Sequence, residues 1–288
     1  MDKKIDVATF VAQRRASIKA AVETLEAKHH IVPTFNVILL GDNAASLSYI
    51  KGKTKAASAA GMQTNVLHFP ADMSEAELLA EVIKLNEDAD VHGFIVQLPV
   101  PAHIDEEKIF SAIDPNKDID GLHPDNLGRM LLGKPRLLPC TPQGIMALLD
   151  HLSIDLQGKH VVIIGRSNIV GKPAAILALA KNATVTVCHS KTKDLASVSR
   201  GADVLIVAIG RANFIDASYI KPGAIVIDVG VNKDEQTGKL TGDVDYEAVK
   251  DIVGGITPVP GGVGPLTITM LLENTLKAVT LQHQRANE

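Results

Sequence analysis

Apolar and polar positions along the chain follow two alternating patterns. From residue 7 to 29, Val7, Phe10, Val11, Ile18, Val22 and Leu25 recur at helical spacing. Residues 35–41 (FNVILLG) form a short continuous apolar run ending in glycine, which predicts a buried strand. The spacing predicts a helix over 46–60, closed by Gly61, and a second strand over 64–69. Ser74 with Glu77 three residues on is a capping box that opens the next helix. Residues 93–99 (GFIVQLP) predict a third strand, stopped by Pro99 and Pro101. Strands alternating with helices predict βαβ units around a parallel sheet.

Residues 113–142 hold five prolines and three glycines without a clean period, so a domain crossover is placed there. Thr141 is read as the cap of a following helix, with Pro142 in its first position. Beyond it, 159–165 (KHVVIIG) predicts a strand running into a glycine turn and a helix over 173–180. Residues 184–190, 203–210 and 224–230 are further apolar runs, as strands buried on both faces should be. Residues 257–281 read as a Pro/Gly loop feeding a long helix. The expected fold is α/β, with two three-layer domains. Residues 1–140, completed by a C-terminal helix over 265–288, form one domain; 141–264 form a Rossmann-like nucleotide domain. An active-site cleft is expected between them.

Composition narrows the functions. The 288 residues carry 29 Lys plus Arg against 33 Asp plus Glu, a net charge of −4, so no basic excess exists to neutralise nucleic acid. Aromatic residues make up 3%, too few for base-stacking surfaces. No run is long and apolar enough to span a membrane, and no signal peptide is legible at the start. Cys140 and Cys188 form no Cys-x-x-Cys metal or redox motif and read as small core residues of a reducing compartment. The expected location is the cytoplasm, with no metal, nucleic acid or membrane partner.

Five segments carry candidate chemistry. GRSNIVGKP (165–173) follows a strand, where a glycine turn lets backbone N–H groups approach a pyrophosphate at a helix N-terminus. Gly165 and Gly171 bracket it, and Ser167 stands where the dinucleotide fingerprint has its second glycine. The next strand ends in His189, Ser190, Lys191 and Thr192 with no carboxylate for a ribose diol. With Arg166 in the turn, cation and hydroxyl favour the 2′-phosphate of NADP over NAD. In SLSYIKGK (46–53), Ser46, Tyr49 and Lys53 share a helix face, so a lysine beside a phenol can polarise a substrate or move a proton. Gln97 ends a parallel strand, where open α/β sheets bind ligands. Asp118 and Asp120 in PNKDIDG could flank a ligand or merely form a turn. TPVPGGVGPLTI (257–268) could wall a flat ligand or tightly connect two domains.

Together, Tyr49-x-x-x-Lys53, VQLPVP, KDIDG, LPCTPQGI, GRSNIVGKP, CHSKT, AIVIDVGVN and ITPVPGGVGP resemble the bifunctional methylenetetrahydrofolate dehydrogenase/methenyltetrahydrofolate cyclohydrolase (FolD) family, almost end to end and in its order. Leu266 replaces a usual Met, and Ile119 a usual Val before Asp120. The resemblance implies NADP-dependent oxidation of 5,10-methylenetetrahydrofolate to the methenyl cation, then hydrolysis to 10-formyltetrahydrofolate. It implies Lys53 as the main catalytic residue, tuned by Gln97, with Asp120 on the pterin edge and Tyr49 against the aminobenzoyl ring. Ser46, Val96, Leu98, Pro260, Gly261 and Gly264 would complete the folate site. Gly165, Arg166, Ser167, Ser190 and Val231 would contact NADP. It also implies a homodimer. The competing readings are another two-domain NADP-dependent dehydrogenase of shikimate type and a non-catalytic dinucleotide sensor, which would leave Tyr49, Lys53 and Gln97 without a task.

Overall fold

The computed structural model describes residues 3–233 and 238–286. The chain divides into two compact units. One comprises Gln13–Cys140 with Ile268–Glu288; the other comprises Met1–Ala12 with Thr141–Thr267.

The first unit is built on α1 (Val7–His29, from Gln13 onward), β1 (Thr34–Leu40), α2 (Ala44–Ala59), β2 (Gln63–Phe69), α3 (Glu75–Glu87), β3 (Gly93–Val96), α4 (Glu106–Ala112) and α5 (Pro124–Leu131). Its three strands are parallel in the order β2-β1-β3. The central strand is buried from Phe35 to Leu40, because helices cover both of its faces, whereas edge strand β2 is half exposed. Ile38, Leu40, Phe94 and Val96 pack on Leu78, Val82 and Leu85 of α3 and Ile109 of α4. The Ser74–Glu77 capping box starts α3 as the sequence predicts. Gly61 follows the last residues of α2 at φ +81°, the left-handed position that favours glycine.

Several boundaries differ from the expectation for physical reasons. α2 begins at Ala44, two residues before the expected Ser46, because Asn43 caps it; Asn43 Oδ1 accepts from Ala45 and Ser46 N–H, each at 3.0 Å, which places Ser46 in the buried first turn. β3 stops at Val96, and Gln97 continues the ladder by one bond, its N–H donating to Ile38 O at 2.9 Å. The aperiodic 113–142 stretch contains α5, which Pro124 opens at its first turn.

The second unit continues with α6 (Cys140–His151), β4 (His160–Ile164), α7 (Gly171–Ala180), β5 (Thr184–Cys188), α8 (Leu195–Ser199), β6 (Val204–Val207), β7 (Ile225–Asp228), β8 (Asn232–Lys233), β9 (Leu240–Thr241), α9 (Tyr246–Val249) and β10 (Gly255–Ile256). The chain ends in α10 (Val263–Ala286), which the first unit takes up from Ile268. Five parallel strands form one sheet in the order β10-β7-β6-β4-β5. Alternation explains the unbroken apolar runs. Val161 and Ile163 pack with Ile145, Leu148 and Leu149 of α6, while Val162 and Ile164 pack on the opposite face with Leu205, Val207 and Val226. α6 begins one residue before Thr141, so Thr141 is not its cap; its hydroxyl instead pairs with Thr267 Oγ1 at 2.7 Å. Helix α7 begins at Gly171, two residues before Pro173.

Candidate functional site

In the first unit, the buried face of α2 carries Ser46, Ile50, Lys53, Ala56 and Ala57. Lys53 thus occupies a position that helical spacing gives to an apolar side chain, and it is only 4% exposed. Its Nζ donates to Gln97 Oε1 at 3.0 Å and lies 4.8 Å from the centre of the Tyr49 ring. Gln97 is fixed in turn, since its Nε2 donates to Leu98 O at 2.8 Å. Ser46 Oγ donates to the same carbonyl at 3.3 Å. Burial lowers the proton affinity of Lys53, and the negative charge of Asp120 pulls it part of the way back. A lysine held by a neutral amide in a dry site is readily converted between ammonium and amine, which suits it to proton transfer.

Asp120 reaches this group from the turn after α4. Its carbonyl accepts from Cys140 N at 3.3 Å. Gly121 beside it has φ +74°, and a Cβ there would lie 2.3 Å from the Leu138 carbonyl carbon. Only glycine allows the 119–121 and 138–140 segments to approach this closely. Asp118 has a different place: its buried carboxylate accepts from Gly121 N, His123 N and Asn126 Nδ2, so it ties the turn and does not face a ligand.

Two residues at this site make contacts that escaped the sequence reading. Cys140 is the small buried core residue that was expected, and in addition its Sγ lies 3.3 Å from Ile119 O, while burial, followed by Asp120, pushes its thiol well above the ordinary range. Asn274 of α10 donates to Ile119 O at 2.9 Å and Leu138 O at 2.8 Å. The signal for Asn274 was present. It falls three residues after Leu271 and four before Ala278, on the helix's buried face, where a polar side chain needs partners.

In the second unit, the strand-end residues form a candidate nucleotide site. Gly165 N donates to Cys188 O at 2.9 Å, joining the ends of β4 and β5. Gly165 has φ +126°, and a Cβ on it would lie 2.2 Å from Ala208 O. Ser167 Oγ accepts from Val170 N at 3.1 Å and Gly171 N at 3.3 Å, which ties the turn that leads into α7. Arg166, Ser190 and Lys191 are exposed beyond the two strand ends. The first carboxylate after β5 is Asp194, which is engaged in starting α8 through Ser197 N. A cation and hydroxyl without an acid fit a 2′-phosphate and leave no acceptor there for a ribose diol. Val231 is 59% exposed just past β7, Pro260 and Gly261 lie in the turn that enters α10, and Gly264 is in the first turn of that helix.

The sequence reading also missed a pair of carboxylates under this rim. Asp243 accepts from Ile209, Gly210 and Arg211 N–H at 2.7, 3.0 and 2.7 Å and from Asn232 Nδ2 at 2.9 Å. Asp228 accepts from Gly230, Asp243 and Val244 N–H at 3.1, 3.0 and 3.0 Å. Burial nonetheless pushes Asp228 up to about 7, against these bonds and with Asp243 adding to the rise. Between about pH 4 and 7 the folded chain therefore keeps a proton that the unfolded chain releases, and this group's contribution to stability falls as pH rises through that window. Thermal midpoints of wild type and Asp228→Asn over pH 4–8 check this: the wild type is expected to lose ground to the variant as pH rises. Parallel curves would refute it.

Comparison with known proteins places these units. A tetrahydrofolate dehydrogenase/cyclohydrolase catalytic-domain model matches residues 5–120, and the NAD(P)-binding-domain model of the same name matches 139–283. The bifunctional protein FolD of Geobacillus thermodenitrificans is 54% identical over 264 residues, covering 92% of each chain. The crystal structure of the Campylobacter jejuni bifunctional enzyme FolD is similar at 48% identity and TM-score 0.92, covering 95% of this chain and 97% of that one. The Trypanosoma brucei methylenetetrahydrofolate dehydrogenase-cyclohydrolase, solved with NADP cofactor and inhibitor, matches at 36% identity and TM-score 0.92 over 98% and 97% of the two chains.

Proposed function

The chain belongs to the tetrahydrofolate dehydrogenase/cyclohydrolase family, and from that premise we propose that it oxidises 5,10-methylenetetrahydrofolate with NADP⁺ and hydrolyses the product to 10-formyltetrahydrofolate. The observation that carries the reading is Lys53 Nζ, buried on α2 and held at 3.0 Å by the neutral Gln97 Oε1.

When bound, NADP⁺ supplies the hydride acceptor for the carbon that bridges N5 and N10 of the folate. That step generates a cation and needs no proton donor. The second step does need proton movement: water adds to the methenyl carbon and loses a proton, and the C–N5 bond then breaks as N5 gains one. Lys53 suits both halves, as an amine receiving the proton from water and as an ammonium returning it to the leaving nitrogen. Gln97 Oε1 aims the lysine nitrogen. The Asp120 charge keeps the ammonium form accessible and would accept hydrogen bonds from the pterin edge. Tyr49 is half-buried beside Lys53 and would offer its ring to the aminobenzoyl group. Ser46, Val96 and Leu98 would complete the wall on the first unit, and Pro260, Gly261 and Gly264 are further proposed folate contacts.

For the cofactor, Gly165, Ser167 and Val231 would border the dinucleotide, with Arg166 and Ser190 on the 2′-phosphate. Arg166→Ala is expected to raise the KM for NADP⁺ about tenfold or more, a loss of about 1.5–3 kcal/mol for a charge-assisted bond, while leaving NAD⁺ within about twofold. An unchanged NADP⁺/NAD⁺ ratio in steady-state assays would remove Arg166 from this role. Among the described residues, no helix is long and apolar enough to cross a membrane. Our reading extends to a cytoplasmic homodimer, which light scattering of the purified chain tests.

The deciding assay follows methenyltetrahydrofolate by absorbance. NADP⁺-dependent appearance of the methenyl compound from methylenetetrahydrofolate, then enzyme-accelerated loss, is the expected result. A folded chain that binds NADP⁺ without either reaction would overturn the proposal.

A further inference from the structure

We propose that Asn274 is a positioning residue for the Lys53–Asp120 pair, acting from α10 through the backbone on either side of Asp120. This rests on the roles proposed above for Lys53 and Asp120.

Asn274 is fully buried, and its side-chain amide is committed in one direction. Nδ2 donates to Ile119 O at 2.9 Å and to Leu138 O at 2.8 Å, and lies 3.5 Å from Cys140 Sγ. Oδ1 is buried with no hydrogen-bond partner. An amide that only filled space would be replaceable by leucine, without an orphaned acceptor. Here both N–H groups are directed at two carbonyls from separate chain segments, and the cost of the other end is tolerated.

These carbonyls flank the catalytic aspartate. Ile119 O belongs to the peptide that enters Asp120, and it also accepts the Cys140 thiol at 3.3 Å. Leu138 lies where the second segment passes closest to Gly121. Cys140 N then closes on Asp120 O at 3.3 Å. Three donors thus pin the backbone around one carboxylate, and the thiol, held neutral by burial, acts here as a donor and not as a charge. Helix α10 is anchored to the other partner as well: a Cβ on Gly52, the neighbour of Lys53, would lie 3.2 Å from Ile268 Cδ1. Arg14 and Arg15 of α1 bond Glu273 and Thr269 of the same helix. One helix therefore bears on both the strut that carries Lys53 and the turn that carries Asp120.

The consequence is electrostatic. Asp120 is the charge that restores proton affinity to the buried lysine. If its backbone loosens, the ammonium loses that support. Asn274→Leu keeps size and removes both donors. The Lys53 pKa, read from 13Cε-labelled lysine with Lys53→Met identifying the signal, is expected to fall by about one unit. The matching limb of the cyclohydrolase pH profile should move the same way. The KM for methenyltetrahydrofolate should rise, and the KM for NADP⁺ should not change. A purely structural role would lower both activities together and leave the titration in place, and that result would overturn the inference. If Asn274→Leu does not fold, Asn274→Asp decides. Its carboxyl donates only while protonated, so its deficit should deepen as pH rises; a deficit constant with pH overturns the inference. A wild-type chain without turnover would instead overturn the proposed function, whereas wild-type turnover with an unmoved Lys53 titration overturns this inference alone.

Discussion

Lys53→Met is expected to lower cyclohydrolase turnover by about 10²–10⁴-fold, the range for a positioned acid–base group, while the dehydrogenase loses much less. Methionine matches the lysine stem in length and keeps the buried face of α2 filled, so the change isolates the nitrogen. The hydrolytic step moves protons to and from atoms beside the bridging carbon. The oxidative step removes a hydride and asks only for orientation. The two activities should therefore separate in one variant. The measurement is paired: initial rates of methenyl formation with NADP⁺ and of methenyl decay without it, on the same preparation. Equal losses in both, with NADP⁺ binding intact, would mean that Lys53 serves binding or polarisation common to both steps.

Gly230→Ala should strongly destabilise the nucleotide unit. A Cβ there would lie 2.2 Å from the Asp243 carboxyl carbon and 2.7 Å from the Asp243 backbone nitrogen. Neither neighbour can yield easily. The carboxylate accepts four hydrogen bonds, three of them from the 209–211 backbone, and the nitrogen donates to Asp228. Overpacking costs about 1–3 kcal/mol, and each charge-assisted bond lost adds about 1.5–3 kcal/mol. A loss of about 4 kcal/mol, or roughly 10 °C in Tm, is expected. Because Val231 follows immediately, NADP⁺ affinity should fall with it. A variant within about 1 kcal/mol of wild type in denaturant titration would show that the loop can open without breaking the carboxylate pair.

Much of this architecture was legible because its signals are local. Continuous runs such as VVII and VLIV mark strands covered on both faces, and the Ser74–Glu77 box marks a helix start without reference to anything distant. The Lys53, Tyr49 and Ser46 face followed from helical spacing alone. What sequence alone could not give is the partner of each polar group. The Asp118 and Asp120 carboxylates look alike in PNKDIDG, yet one is consumed by its own turn and the other acts on Lys53 and Cys140. That distinction depends on Asn126 and His123, which a reading of the motif does not weigh. Asn274 and Ile119 are 155 positions apart, and Asp243 and Ile209 are 34 apart. The start of α2 at Ser46 and the cap at Thr141 were misplaced for a related reason. Asn43 takes up the first N–H groups of α2, and the Thr141 hydroxyl is engaged with distant Thr267.

The burial of Lys53 also bears on durability. Between the proton affinity it has in the fold and the ordinary value of 10.5, the unfolded chain holds a proton that the folded chain gives up. The working enzyme therefore carries a destabilising residue at neutral pH, and the burden lightens as the medium becomes more alkaline. Methionine would lift it altogether. Selection for sturdiness alone would have removed this lysine; the variant that lacks its nitrogen, and with it most of the hydrolytic step, is expected to be the tougher protein.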